Sequence, residues 1–234
     1  MSLFDTIFYK PLFNALIFFY QIFPGHDLGV AIIILTITIR LLLYPLNATA
    51  IRSQKVFQDI QPKIKEVQKK YKEDKEKQMQ ATLEIYREAK INPFSSFFPL
   101  IIQLPILYAL YKVFWKGLNT AELVNVYSFV SRPEHINSTF AGFLRLDGPS
   151  LSLAVLCGVL QFLQVKMLAP TIKKGEEADK FSSILQKQTQ YLFPVIIILM
   201  LSKIPSAIGL YWSMTTIFSI IQQYIVLKPY AKPQ

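Results

Sequence analysis

The chain is 234 residues long, 52% hydrophobic and 14% aromatic, with only 17% charged residues. Soluble domains carry about 25% charge, so an ordinary soluble enzyme is disfavoured, and a disordered chain is excluded by the hydrophobicity. One cysteine, Cys157, allows neither a disulfide framework nor a cysteine-based zinc site, and the net charge of +10 is distributed unevenly along the chain.

In chain order, residues 1–27 come first. Phe4, Phe8, Leu12, Leu16 and Phe19 recur at helical spacing, with Asp5, Lys10, Asn14 and Gln21 between them, and Pro24-Gly25 ends the pattern. This predicts an amphipathic helix on the outer membrane surface. No basic region precedes the apolar residues and no small-residue cleavage site follows, so a signal peptide is not expected. A sixth span is the alternative, and it would reverse the end of the chain or spoil the loop charges.

A membrane helix needs about 20 mostly apolar residues. The stretches 28–47, 96–116, 150–169, 188–203 and 204–227 meet or approach that length. The fourth is the shortest, and its uninterrupted apolar part covers less than ~20 Å at 1.5 Å per residue. Lys and Arg collect in 48–95, in 170–187 and in the tail 228–234, whereas 117–149 sets Arg132 and Arg145 against Glu122, Glu134 and Asp147. By the positive-inside rule the N-terminus lies outside, the tail is cytoplasmic, and 117–149 is an extracytoplasmic loop.

Residues 48–95 carry eleven basic and seven acidic residues. Val56, Ile60, Ile64, Val67 and Tyr71 share one helix face, and Met79, Leu83 and Tyr86 share another. A cytoplasmic helical hairpin with a thin apolar seam is expected, with Glu66 and Lys70 at i, i+4, Pro62 opening or kinking its first helix, and Asn92-Pro93 ending its second. It reads either as a solvated helical linker or as a docking element for a ribosome, a partner or anionic lipid.

Arg40 is the expensive residue. An arginine at mid-bilayer costs at least ~2.5–3.5 kcal/mol, and no carboxylate lies in any of the five spans. It can snorkel about six residues, or ~9 Å, to the cytoplasmic end. The other solution is a wet cavity, for which Thr36, Thr38, Gln103, Gln161, Gln164, Gln190, Ser213, Thr215, Thr216, Ser219, Gln222 and Gln223 are candidate lining. Such residues also join helices without lining anything, and Trp212 fits either role. A positive charge in such a cavity attracts acidic polypeptide more strongly than in water.

The segments IRLLLYPL, QPKIKEVQKKY, NPFSSFFPLIIQLPILYALY, QFLQVKM and FPVIIILMLSKIPSAIGLYW, in this order and spacing, resemble the YidC/Oxa/Alb membrane-protein insertases of the short bacterial YidC type, from about Leu28 to Pro229. The resemblance implies an all-α polytopic membrane protein of the bacterial inner membrane, with five transmembrane helices around a cytoplasm-open hydrophilic groove. Arg40 matches the family's groove arginine. Gln161, Gln164 and Trp212 take groove or substrate-path positions, and Gln103 and Thr36 are further candidates for the substrate-binding groove.

The implied partners are nascent membrane proteins, membrane lipids, the ribosome and, as an option, the Sec translocon; the hairpin would recruit them, and a monomer is expected. Neither a large extracytoplasmic domain nor a lipidated cysteine is expected, and the short tail argues against strong tail-mediated ribosome binding. The short fourth span suggests local bilayer thinning. No cofactor, metal or catalytic residue is expected. A small solute transporter or channel is the main alternative, which calls for internal repeats or a charged pore ring. An intramembrane enzyme lacks support, since His26 and His135 fall outside the spans and no span carboxylates can pair.

Overall fold

The computed structural model describes residues 2–23, 25–90, 98–116, 120–168 and 188–228, and these are predominantly helical. A π-helical turn, Asp5–Tyr9, runs into α1 (Lys10–Ile22). Then come α2 (Leu28–Leu42), α3 (Tyr44–Lys70), α4 (Lys75–Glu88) and α5 (Phe98–Lys116). A 3-10 turn, Thr120–Asn125, leads to a small antiparallel hairpin, β1 (Thr139–Phe140) and β2 (Leu144–Arg145), with Thr139 opposite Arg145. The chain continues in α6 (Leu151–Leu168), a π-helical turn at Gln188–Leu192, α7 (Phe193–Leu201) and α8 (Ser206–Leu227). The expected loop 170–187, the Asn92-Pro93 helix end and nearly all of the tail lie outside the described residues.

By length and composition no single described helix passes as a full membrane span; α2 and α3 pass together, as a pair bent at the break between them. The expected first span, 28–47, is interrupted at Leu43. Pro45 explains this: it lacks an N–H, and its ring would strike the carbonyl of Leu41, four residues back. Shorter apolar helices cover Ile101–Trp115, Leu151–Met167 and Gln190–Leu201. The 22-residue α8 is long enough, but from its eighth residue onward it carries Ser213, Thr215, Thr216, Ser219, Gln222 and Gln223.

The chain divides into two compact units, one of Met1–Leu42 with Gln103–Ile221 and the other of Leu43–Ile102 with Gln222–Gln234. In the first, α6 packs on α7 and α1 packs on α2. Small residues allow the close approach. A Cβ on Gly158 of α6 would collide with Ile198 of α7, and one on Gly209 of α8 would come within 3.2 Å of Leu153. Phe13, Leu16, Ile32, Leu110, Leu146 and Tyr211 are almost fully buried there.

The buried face of α1 differs from the expected one. Tyr9, Phe13, Leu16, Ile17 and Tyr20 are buried, together with Asn14, while Phe4, Phe8, Leu12 and Phe19 are only partly covered. Polar groups set this rotation. Asn14 accepts from Tyr127 N–H at 2.6 Å and donates to Asn125 O at 3.2 Å. Tyr9 donates to Glu122 at 2.9 Å, and Tyr20 Oη accepts from Asn137 N–H at 2.8 Å. Asp5 pairs with Lys112 of α5. The helix is therefore docked on its own protein through the 120–149 segment.

That segment is also tied to two helix starts. Asp27 Oδ1 accepts from Gly29 and Val30 N–H at 2.7 and 3.1 Å, capping α2, while its Oδ2 accepts from Ala141 N–H at 2.7 Å. Ser206 Oγ, at the start of α8, donates to Arg145 O at 2.6 Å.

In the second unit α3 and α4 form a helical hairpin. Pro62 lies inside α3 rather than opening it. Asp74 caps α4 by accepting from Lys77 N–H at 3.0 Å. The seam is shifted by about one residue from the expected face: Met79 and Leu83 are 62% and 48% exposed, while Gln78, Thr82, Ile85 and Tyr86 are partly covered. The stacking of Tyr86 on Phe57, with ring centroids 6.0 Å apart, fixes that rotation. The ion pair that forms along α3 is Lys55–Asp59 at 2.7 Å, and Lys70 sits over the Tyr71 ring.

Candidate functional site

The first unit brings several of the sequence-chosen residues into two hydrogen-bonded clusters. Arg40, near the end of α2, is 9% exposed. Its Nη2 donates to Gln103 Oε1 of α5 at 3.2 Å, and Gln103 Nε2 donates to Tyr211 Oη of α8 at 2.5 Å. A guanidinium offers five N–H donors. Among the described residues no carboxylate lies within ion-pair distance of it, the pairs being Lys55–Asp59, Lys77–Asp74, Lys112–Asp5 and Arg145–Asp147. An amide supplies a dipole but no net counter-charge, so among the described residues the positive charge of Arg40 stays uncompensated.

The second cluster joins α6 to α8. Gln161 Nε2 donates to Gln164 Oε1 at 3.3 Å, and Trp212 Nε1 donates to Gln161 Oε1 at 3.2 Å. Tyr211 and Trp212 are consecutive on α8, so their side chains diverge by about 100°. One joins the Arg40 cluster and the other the glutamine pair, which places α8 between the two. Close to Trp212 along α8, Cys157 Sγ donates to Gly209 O at 3.1 Å and lies 3.0 Å from Ser213 Oγ, fastening α6 to α8.

Thr36 belongs to neither cluster. It is 1% exposed, and its hydroxyl donates to Ile32 O of its own helix at 2.6 Å. Thr38, Thr216 and Ser219 likewise donate to the carbonyl four residues back. In an apolar helix this is how a lone hydroxyl is satisfied. Sequence reasoning passed over Tyr211. The signal was available, because a tyrosine inside an apolar run needs a partner for its O–H.

The N-terminal helix and the 120–149 segment carry their own electrostatics. The hydrogen bond from Lys112 holds the Asp5 carboxyl below its ordinary range, and Arg145 does the same for Asp147. Burial, with help from Glu122, pushes the Tyr9 hydroxyl well above its ordinary value. A polar cleft of about 490 Å³ lies among Tyr20, Gln21, His26, Arg132, Glu134 and His135, and it shares no residue with either cluster.

A family model described as 60Kd inner membrane protein matches residues 18–233. The chain is 31% identical over 202 residues to "Membrane protein insertase YidC" of Fusobacterium nucleatum, covering 86% of this chain and 87% of that one. It is 32% identical over 233 residues to the protein of that title from Oceanobacillus iheyensis, covering 97% and 85%. A third relative with the same title, from Pelobacter propionicus, is 32% identical over 225 residues, but there the chain spans only 39% of the relative's length. With a family model matched over residues 18–233 and relatives of 31–32% identity aligned along most of both chains, the chain belongs to the 60Kd inner membrane protein family, which includes the insertases titled YidC.

Proposed function

We propose that the chain inserts newly made membrane proteins, and helps them fold, through a hydrophilic intramembrane groove open to the cytoplasm and closed to the outside. Five spans, 28–47, 96–116, 150–169, 188–203 and 204–227, surround it, with the N-terminal segment 1–27 and the loop 117–149 outside. The hairpin 48–95, the loop 170–187 and the tail 228–234 are cytoplasmic. The chain acts as a monomer, alone or beside the Sec translocon, on nascent membrane proteins delivered by the ribosome.

The observation that carries this reading is the state of Arg40: buried, bonded to the neutral amide of Gln103, and with no carboxylate partner among the described residues. Carrying a hydrated tail across hydrocarbon is the difficult step in insertion. A positive charge in a low-dielectric surround attracts an acidic tail, and a short fourth span thins the barrier that remains. Gln103 positions the guanidinium. Gln161, Gln164 and Trp212 offer polar contacts along the path on which the apolar segment leaves for lipid. Thr36 sits one turn from Arg40 and shapes the wall. No bound nucleotide is needed, because burying the substrate's apolar segment supplies the free energy.

The test is insertion into vesicles of a single-span substrate with an acidic outer tail, read by protection of that tail from protease. Arg40→Ala abolishes insertion, while Arg40→Lys keeps much of it, since a point charge suffices for attraction even without the bidentate fork. Full insertion by Arg40→Ala would overturn the capture role. Solute passage without any nascent chain would favour the transporter reading instead.

A further inference from the structure

The β1–β2 hairpin does not stand off the helices. Ala141 N–H donates to Asp27, the cap of α2, and Ser206 Oγ, at the first residue of α8, donates to Arg145 O. Ser206 N–H reaches Gly148 O at 2.8 Å, and Ala207 N–H reaches Leu146 O at 3.1 Å. The Phe140 ring covers Gly29, where a Cβ would collide with it, and Leu146 is fully buried. The hairpin is thus laid across the starts of two helices, at the depth where those helices begin.

At that depth the turn exposes a large apolar side chain. Phe143, beside Gly142 and Ala141 with positive φ of 78° and 51°, is 80% exposed. A polar residue is the ordinary occupant of such a turn, and in water a bare phenyl forgoes the favourable burial of its apolar surface. The chain leaves α5 for this segment at Trp115-Lys116 and re-enters the helices at Leu151. Trp115 is 55% exposed and Leu151 66% exposed, so the exposed apolar surface of both helices reaches this end. Along α6 that surface continues through Val155 and Val159. Aromatic rings collect where headgroups meet acyl chains.

We infer that Phe143 is a membrane anchor whose ring sits in the outer leaflet, at the headgroup boundary, so that the hairpin rests on lipid as well as on α2 and α8. Phe143, Trp115 and Leu151 then form an apolar rim on the outer side, and lipid is the partner of this surface. The inference rests on the membrane topology proposed above.

The test places a nitroxide at Phe143→Cys in a Cys157→Ser chain reconstituted into vesicles of phosphatidylethanolamine and phosphatidylglycerol. Serine keeps the small polar contacts of the buried thiol. Collisional access to oxygen, which partitions into lipid, is compared with access to a water-soluble nickel chelate. Glu134→Cys on the exposed loop serves as the aqueous reference, and Val159→Cys on the exposed face of α6 as the lipid reference. The expected oxygen-to-nickel ratio at 143 is several-fold above that at 134 and approaches that at 159. A ratio at 143 equal to that at 134, with 159 still in lipid, overturns the anchor alone. A water-like ratio at 159 overturns the topology and the anchor with it. Shielding at 143 that vanishes on diluting protein in lipid identifies a second copy as the partner, and also overturns the proposal.

Discussion

Asp27 is a polar link between the 120–149 segment and α2, and its replacement gives a graded prediction. Its Oδ1 caps α2 through Gly29 and Val30, and its Oδ2 receives Ala141 N–H of the hairpin. Losing a cap to alanine costs about 1 kcal/mol. Losing a hydrogen bond to a charged acceptor costs about 1.5 kcal/mol at an exposed site, the lower end of the range for such bonds. The favourable placement of negative charge at a helix start adds about 0.3–1 kcal/mol.

Asp27→Ala therefore destabilises by about 3 kcal/mol in total. Asp27→Asn keeps the cap, because asparagine caps as well as aspartate, but its amide can no longer accept from Ala141 as a carboxylate does, so about 2 kcal/mol is lost. The difference between the two variants isolates the cap. Denaturant unfolding in detergent micelles, followed by helical circular dichroism, reads the totals, and amide exchange over 139–146 reads the hairpin bond separately. Both variants within ~0.3 kcal/mol of the parent, with unchanged exchange at Ala141, would refute the idea that this carboxylate joins hairpin to helix.

The other predictions concern packing, pH and charge. Gly158→Ala presses on Ile198 and on Pro194 O at 3.2 Å and costs about 1–3 kcal/mol by overpacking; adding Ile198→Ala relieves it, so a double-mutant cycle by micellar unfolding shows the pair costing less than the sum. Asp5 has its carboxyl lowered by Lys112, so its contribution is complete above the ordinary carboxylate value of about 4 and fades as pH falls through the lower folded value. Tyr9 has its hydroxyl raised, so its contribution is present below about 10 and fades as pH rises through the higher folded value. Exchange protection of residues 5–22 should fall at both extremes, with Asp5→Asn flattening the acid limb and Tyr9→Phe the alkaline one. Gln103→Glu gives Arg40 a counter-charge; insertion of acidic-tailed substrates should fall while resistance to unfolding holds or rises, and unchanged insertion would contradict electrostatic capture.

Helix positions were legible in the sequence because apolar runs and their punctuation are local. Asp27 before the apolar stretch and the Pro24-Gly25 break mark where α2 starts. The break at Leu43 was also legible, through the clash of Pro45 with the carbonyl of Leu41, but a continuous hydropathy reading runs over it. Rotation about a helix axis was harder. For α1 the periodicity of Phe4, Phe8, Leu12, Leu16 and Phe19 gave one face, of which Leu16 is buried, yet Tyr9, Asn14 and Tyr20 turned inward because their polar groups find partners more than a hundred residues away. For α4 the Phe57–Tyr86 stack moved the seam off Met79 and Leu83. Among the polar residues in the apolar helices, composition could not separate those that reach across, such as Gln103 and Gln161, from threonines that spend their hydroxyls on their own backbone. Side-chain length is the physical discriminator: a glutamine amide reaches a neighbouring helix, while a threonine hydroxyl is held within reach of the carbonyl four residues back.

That discriminator bears on why the proposed site uses amides at all. A carboxylate beside Arg40 would lower the cost of burying the guanidinium, but it would also cancel the field an incoming acidic tail responds to. At 4 Å two unit charges attract by about 4 kcal/mol at an effective dielectric of 20, against about 1 kcal/mol in water. That difference is available to a substrate only if the protein has not already used it. Gln103 anchors the guanidinium at 3.2 Å and is itself anchored by Tyr211, so the charge is held in place without being neutralised. In the proposed mechanism that unneutralised charge is what an acidic tail meets, and a carboxylate in place of Gln103 would take it away.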